Sequence, residues 1–366
     1  MKVVAPFHKE FKLQGNSFVS IEELIHFSKE ISIEVHLFLT EWFNESLHIE
    51  VNTSGSTGTP KQIQLQKKYM VNSVKATGNY FSLPEKTTAL LCMSPNFIAG
   101  KMMLVRALTL GWHLDVVVSS SNPLEKIKKT YDFSAMVPMQ LNNSLEEIHK
   151  VKKMIVGGGV VSNELLSKIQ HIKSEVFATY GMTETITHIA VKKLNNFNSV
   201  ISSAVEKSHY KIVPNVAISK DNRGCLVIVA PKVAEEKVIT NDLVELISET
   251  EFKWLGRYDS IINSGGVKLI PEQIEEKLTK IIHNRFFVAG IPDVILGEKI
   301  VLVIELESLK VEKSKSKFLK DIKQQKTFSK YEIPKEIFFI EKFIETPTQK
   351  INRIETLKLI KNVSSI

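Results

Sequence analysis

The polar–apolar rhythm of the chain changes several times, and each change predicts a different kind of element. His48-Ile49-Glu50-Val51 alternates, and so does Lys61-Gln62-Ile63-Gln64-Leu65-Gln66. A period of two reads as a strand with one buried face. The residues between these runs are polar and small, so the pair predicts a β-hairpin with a polar tip. From about residue 88 to 179, apolar runs alternate with helical spacing. Strands are expected at 89–93, 114–118, 133–137, 153–156 and 175–179, and helices at 99–110, 123–129, near 143–150 and at 163–172 with Ser162 as N-cap. That βαβ alternation predicts a largely parallel sheet covered by helices, with ligands at the carboxyl ends of its strands.

Residues 200–255 change character. Strand-like runs such as Cys225-Leu226-Val227-Ile228-Val229 follow one another between turn residues, which suggests a smaller β subdomain. Beyond Asp259, Ser264-Gly265-Gly266 separates two short strands and signals a hairpin. Pro271 then stands at a first helical position, with Ile274, Leu278, Ile281 and Ile282 at helical spacing. A further strand, a basic helix and a strand–loop–helix complete the pattern. The expected organisation is α/β: a large domain over residues 1–258, built from βαβ sheets and a small β subdomain, and a small mobile α/β domain over 259–366.

Composition narrows this picture without redirecting it. The chain has 366 residues and 43% hydrophobic content, ordinary for a globular protein with a sizeable core. No apolar run approaches the roughly 18 residues that suggest a membrane span, and the first residues do not read as a signal sequence, so a cytoplasmic protein is expected. The two cysteines, Cys92 and Cys225, lie in apolar runs and form neither a zinc pattern nor a disulfide framework. The net charge is +8, and between Lys310 and Lys330 eight lysines face two acids. Phe318 and Phe328 are the only aromatic residues in this stretch, short of the aromatic interleaving of a nucleic-acid surface, so a solvated helix face is expected, and no nucleic-acid partner.

Chemistry concentrates in six places. Thr53-Ser54-Gly55-Ser56-Thr57-Gly58-Thr59-Pro60-Lys61 combines glycines, hydroxyls and a lysine, which suits a phosphate cradle. Pro60 biases Thr59 to extended geometry, so this is not a Walker loop, although the composition alone also fits a flexible linker. Gly157-Gly158-Gly159 follows one strand and leaves room for a flat ring against backbone, or is a plain turn. Tyr180-Gly181-Met182-Thr183-Glu184-Thr185 follows the next strand, where a hydroxyl and a carboxylate can hold a metal beside phosphates, or Thr183 can cap a turn. Asn241-Asp242-Leu243 offers a carboxylate for sugar hydroxyls, and Gly256-Arg257-Tyr258-Asp259 a guanidinium for sugar or phosphate, unless it is a surface ion pair. Lys350 lies in a polar loop near the C-terminus.

In this order the motifs resemble the acyl-adenylate-forming superfamily, from about residue 49 to 353. Among its branches the chain is most similar to the o-succinylbenzoate–CoA ligases. The compact length, the hexapeptide from Tyr180 to Thr185 and the segment Asn96-Phe97-Ile98-Ala99-Gly100-Lys101 carry that likeness. The resemblance implies MgATP, coenzyme A and a small carboxylic acid as partners. It implies that Ser54, Gly55, Ser56, Thr57, Gly58 and Lys61 hold the β- and γ-phosphates. Thr183 and Glu184 would hold the α-phosphate and Mg²⁺. Gly157, Gly158, Tyr180 and Gly181 would frame adenine, and Asp242 and Arg257 the ribose. Lys350 would serve the transition state, and Asp259 would be a hinge. For the acid, Asn96, Lys101, Arg106 and His188 are the candidates. Lys101 or Arg106 could meet a second carboxylate, while a lone histidine such as His188 is more often structural. Asn241, Asn263 and Gln349 depart from the family pattern, and only about 50 residues precede the phosphate loop. A reduced outer layer is therefore expected.

Overall fold

The computed structural model describes residues 7–52, 62–195, 209–306, 318–322, 324–325, 327–346 and 351–363, with the side chains of 361–363 excepted. The first elements are β1 (Lys12–Leu13), α1 (Ile21–Ser28) and α2 (Ile33–Phe43). Ser20 and Ser32 cap the two helices by accepting from the amides of Glu23 and Val35. This segment is no loose preface. Phe11, Leu13, Leu24, Val35, Phe38, Leu39 and Trp42 are buried in the main hydrophobic core, and β1 pairs in parallel with the strand His113–Val116 to form one edge of the large sheet. Residues of β1, α1 and α2 thus pack into the core of the large unit.

The expected hairpin is formed by β2 (His48–Asn52) and β3 (Gln62–Gln66), antiparallel in the register His48↔Gln66 to Asn52↔Gln62. Ile49, Val51 and Leu65 are buried, so the alternation maps onto one core face as read from sequence. The chain then enters α3 (Lys67–Phe81).

The βαβ reading holds for the sheet. β4 (Thr88–Leu91), β5 (His113–Val116), β6 (Tyr131–Met136), β7 (Val151–Val156) and β8 (Glu175–Gly181) pair in parallel, with α4 (Ile98–Leu110), α5 (Pro138–Asn143) and α6 (Asn163–Ile169) in the connections. Ser162 caps α6 through Leu165 N at 3.1 Å. Two helices differ from expectation. Residues 123–129 form a turn and an irregular run, because only Pro123 and Leu124 of that stretch are buried and the Leu124 carbonyl accepts from Lys150 Nζ at 3.2 Å. The helix expected near 143–150 begins earlier, at Pro138. There proline fits the first turn and Gln140 reaches back to Val137 N at 3.2 Å. Only a 3₁₀ turn, Ile148–Lys150, remains of the expected stretch.

The small β subdomain is present as a wing of the same sheet. β9 (His188–Lys193) pairs antiparallel with β8, followed by β10 (Tyr210–Ile212), β11 (Ala217–Lys220), β12 (Cys225–Val229), β13 (Val238–Leu246) and β14 (Glu251–Arg257). Among the described residues this makes a 12-stranded sheet in the order β1-β5-β4-β6-β7-β8-β9-β10-β14-β13-β12-β11.

The chain then changes sheets. β15 (Ile262–Ser264) and β16 (Val267–Leu269) form the expected hairpin, whose Gly265 and Gly266 take φ of 58° and 82°. That geometry is left-handed at both turn positions and suits glycine. α7 (Pro271–Leu278), β17 (Phe286–Asp293), β18 (Gly297–Glu305), β19 (Glu336–Ile340) and α8 (Arg353–Val363) complete the unit, which has its own apolar clusters around Leu302 and Phe287. Glu272 at the start of α7 is tucked against β14, where burial raises its pKa, and Asn163 of α6 donates to Thr279 Oγ1 at 2.6 Å.

Candidate active site

Residues 53–61 connect β2 to β3 in the chain. Ser54, Gly55, Ser56, Thr57, Gly58 and Lys61 themselves lie outside the described residues, and so does Lys350. The candidates for adenine, ribose and Mg²⁺ lie at the carboxyl ends of β7 and β8 and on the wing beside them, while Asn96, Lys101 and Arg106 lie before and on α4.

Gly157 follows β7 directly and donates its N–H to Met136 O at 3.1 Å. A Cβ there would meet Thr179 Oγ1 at 2.6 Å, so the glycine permits the close approach of the two strand ends. Gly158 has φ +78°, which a side chain would resist. At the end of β8, Gly181 lies so near Thr187 O that a Cβ would sit 2.1 Å from it. Thr183–Thr185 then form a 3₁₀ turn in which Thr185 is buried, bonding Met182 O and Thr187 O, while Glu184 points outward. Among the described residues nothing pairs with the Glu184 carboxylate. The next residue, Ile186, has φ 67° and ψ −58°, with Thr187 N bonded to Thr185 O at 2.7 Å. This is a γ-turn of the strained hand at a β-branched residue, placed between Glu184 and His188. No sequence signal marked it.

Asp242 and Arg257 face each other as a cross-strand pair of β13 and β14. Asp242 is buried, and both its oxygens are engaged: Tyr180 Oη donates to Oδ2 at 2.6 Å and Trp254 Nε1 to Oδ1 at 3.1 Å. Burial, then the neighbouring Asp242 charge, pushes the Tyr180 phenol up, so it stays a donor. The tyrosine expected to border a ring is thus also the residue that orients the carboxylate. Arg257 lies on Asp259 in a two-point contact at 2.8 and 2.6 Å, which holds the Asp259 carboxyl below its usual range. Asn241, a departure from the family glycine, accepts from Arg223 Nη1 at 2.8 Å, and the Arg223 guanidinium lies 5.2 Å from the Tyr258 ring centre. Trp254 and Arg223 escaped sequence reading, because tertiary pairing rather than local spacing brings them here.

The candidates for the acid separate. Asn96 is exposed in the turn before α4. Lys101 is buried but engaged: its Nζ lies 3.1 Å from Glu41 Oε2 and 5.0 Å from the Phe38 ring centre. Arg106 is 1% exposed, and the one hydrogen bond its guanidinium makes among the described residues is to Met103 Sδ, at 3.4 Å. Its Nε has no partner there, and burial draws its pKa down to about 10. His188 is likewise buried. Burial, followed by the Arg106 charge, lowers its pKa to about 3, so the ring is neutral. Its Nε2 lies 3.4 Å from Thr77 Oγ1. A cavity of about 200 Å³ opens over Thr77 and His188, lined also by Lys75, Asn215 and Lys232.

Among the described residues no cluster of three or more His, Cys, Asp or Glu side chains converges as a metal cage. A divalent cation beside Glu184 would therefore take most of its oxygens from bound phosphates and water, the usual manner of magnesium.

The family model for "AMP-binding enzyme" matches residues 49–234, the stretch that carries the β2–β3 hairpin, the parallel strands and the strand-end glycines. The chain belongs to that family. It is 24% identical over 376 residues to the 2-succinylbenzoate–CoA ligase of Enterococcus faecalis, spanning 93% of this chain and 74% of that protein. A Dyadobacter fermentans protein described as acyl-CoA synthetase (AMP-forming)/AMP-acid ligase II-like is 36% identical at a TM-score of 0.58, over 90% of this chain and 95% of that one. The Bacillus subtilis o-succinylbenzoate coenzyme A synthetase, solved with ATP and magnesium, shares the fold at 20% identity and a TM-score of 0.71, over 84% of this chain and 69% of that one.

Proposed function

We propose that this AMP-forming acid–thiol ligase converts 2-succinylbenzoate, or a closely similar aromatic dicarboxylate, to its CoA thioester through an acyl-adenylate. The observation that carries the choice of acid is Arg106: a fully buried guanidinium with no counter-charge among the described residues, next to a neutral histidine. An uncompensated buried cation is costly to fold, and a ligand carboxylate offsets that cost only when bound. A monocarboxylic acid leaves it unpaired. The names of the curated relatives support the same acid.

In this reading one carboxylate of the acid attacks the α-phosphorus of ATP, and the bond to pyrophosphate breaks. The CoA sulfur then attacks the acyl carbon and AMP leaves with the bonding pair, the thiol proton passing to solvent. Ser54, Gly55, Ser56, Thr57, Gly58 and Lys61 hold the departing pyrophosphate. Thr183 bonds the α-phosphate, and Glu184 is the protein ligand for Mg²⁺, which supplies charge neutralisation. Gly157, Gly158 and Gly181 border adenine with the Tyr180 ring, while Asp242, held by Tyr180 and Trp254, takes the ribose hydroxyls with Arg257. Lys350 meets the charge that develops between carboxylate and α-phosphate, the point where a cation stabilises the transition state most. Asp259 is the hinge for movement of residues 259–366. Arg106, with His188 as a neutral hydrogen-bond partner, receives the second carboxylate.

The test is Arg106→Met, assayed by acid-dependent pyrophosphate exchange. The KM for 2-succinylbenzoate is expected to rise about 10- to 100-fold, as for a lost charge-assisted pair, with the KM for ATP unchanged. An unaltered acid KM would contradict the assignment.

A further inference from the structure

The C-terminal end of α2 carries a polar hub that the proposed chemistry does not use. Glu41 sits in the last turn, where the helix dipole disfavours an acid, so something else holds its charge there. Three elements converge on it. The amide of Glu50, in strand β2, donates to Glu41 Oε1 at 2.9 Å. Lys101, in the first turns of α4, lies 3.1 Å from Oε2. Lys67, the first residue of α3, is buried, which lowers its pKa, while the Glu41 charge raises it again. The Lys67 ammonium also caps α2 by donating to Asn44 O at 3.2 Å and Asn44 Oδ1 at 2.9 Å. Phe38 and Trp42 turn their rings to the two ammonium groups at 5.0 and 6.0 Å. One end of one helix therefore compensates two buried lysines.

The two elements joined at this point lead to different substrates. β2 runs into the phosphate-loop hairpin, and Lys67 follows its return strand. α4 carries Arg106 and is locked to the strand-end turn before it, since a Cβ on Gly100 would lie 2.3 Å from Ser94 O. Apolar residues of both elements, Ile49 and Val51 with Met102 and Val105, share the main core, and Glu41 adds the directional polar link between them. We infer that Glu41 is a positioning residue that fixes the spacing between the nucleotide-gripping hairpin and the acid-binding helix. This rests on the function proposed above. Each half-site can bind alone without Glu41; what needs it is their mutual alignment, to which in-line attack is sensitive at the ångström scale.

The separating experiment uses the full chain and the isosteric variant Glu41→Gln, which keeps an acceptor for Glu50 N–H and removes the charge. Acid-dependent pyrophosphate exchange should lose about 10- to 100-fold in kcat, with the KM values for ATP and acid within about threefold of wild type. Hydrogen exchange should rise together at residues 48–52, 62–66 and 98–101. Lys101→Met should reproduce the kcat loss, and the double variant should be no worse than either single one, because both break one link. Unchanged kcat and unchanged exchange in Glu41→Gln would overturn the inference. So would a rise in both KM values at constant kcat, or hydrogen exchange that rises evenly over the chain, the mark of a general structural loss. If no acid supports exchange even in wild type, the functional reading fails, and the hydrogen-exchange pattern still decides whether Glu41 couples the two elements.

Discussion

Among the described residues, the Arg106 guanidinium has a thioether for company and no carboxylate. A group so placed costs stability in the absence of ligand. Arg106→Met is therefore expected to raise the stability of the ligand-free protein, by about 1–3 kcal/mol on the scale of such replacements, while it weakens acid binding. Urea unfolding at neutral pH measures this, and a loss of stability would show that the charge is compensated after all. His188 gives a pH signature with a definite sign. Its folded pKa, about 3, lies below the ordinary 6.5 because burial, and then Arg106, disfavour the charged ring. Below about pH 6.5 the unfolded chain takes up a proton that the native one refuses. Stability should then fall as pH drops from about 6.5 towards 3, by at most ~1.4 kcal/mol per unit from this group. His188→Gln should flatten that slope, and an identical profile in the variant would refute the neutral buried histidine. The sequence singled out both residues by position alone. It could not show that Lys101 is taken by Glu41 while Arg106 is left alone, because Glu41 lies 60 residues away in chain order.

At the scale of elements, the readable parts were those where a local rule and a tertiary need agree. The β2–β3 hairpin, the parallel strands, the Ser162 cap and the Gly265–Gly266 turn each combine periodicity or φ demand with the packing they meet. Residues 123–129 failed as a helix because a composition that permits one supplied buried side chains only at its start, Pro123 and Leu124. The Asp242 cluster was legible only in part: the carboxylate stood out, whereas Tyr180 and Trp254 reach it from other strands. The start of α4 offers a sharp test. Gly100→Ala places a methyl 2.3 Å from Ser94 O and 2.8 Å from Met93 O, both backbone atoms that cannot swing away. A loss of about 2 kcal/mol or more is expected, read from the unfolding midpoint, on the scale of overpacking a tight site. Tolerance of the alanine would mean that the turn and α4 are not locked together.

For the whole molecule, the first described elements are integrated, with α1 and α2 in the main core and β1 on the edge of the large sheet. The C-terminal unit has its own sheet and clusters and meets the rest through α6, β14 and α7. No helix among the described residues is long and apolar enough to cross a membrane. The family defines adenylate chemistry, and the central claim is the acid. The most direct measurement incubates the purified chain with MgATP, CoA and 2-succinylbenzoate, beside benzoate and a medium-chain fatty acid, and quantifies thioester by mass spectrometry with AMP. The account predicts thioester and AMP in equal amounts from 2-succinylbenzoate, and at least about 100-fold less from the monocarboxylic acids, the discrimination expected when a buried charge is left unpaired. Equal turnover of the monocarboxylic acids, or AMP formation that ignores 2-succinylbenzoate, would contradict it.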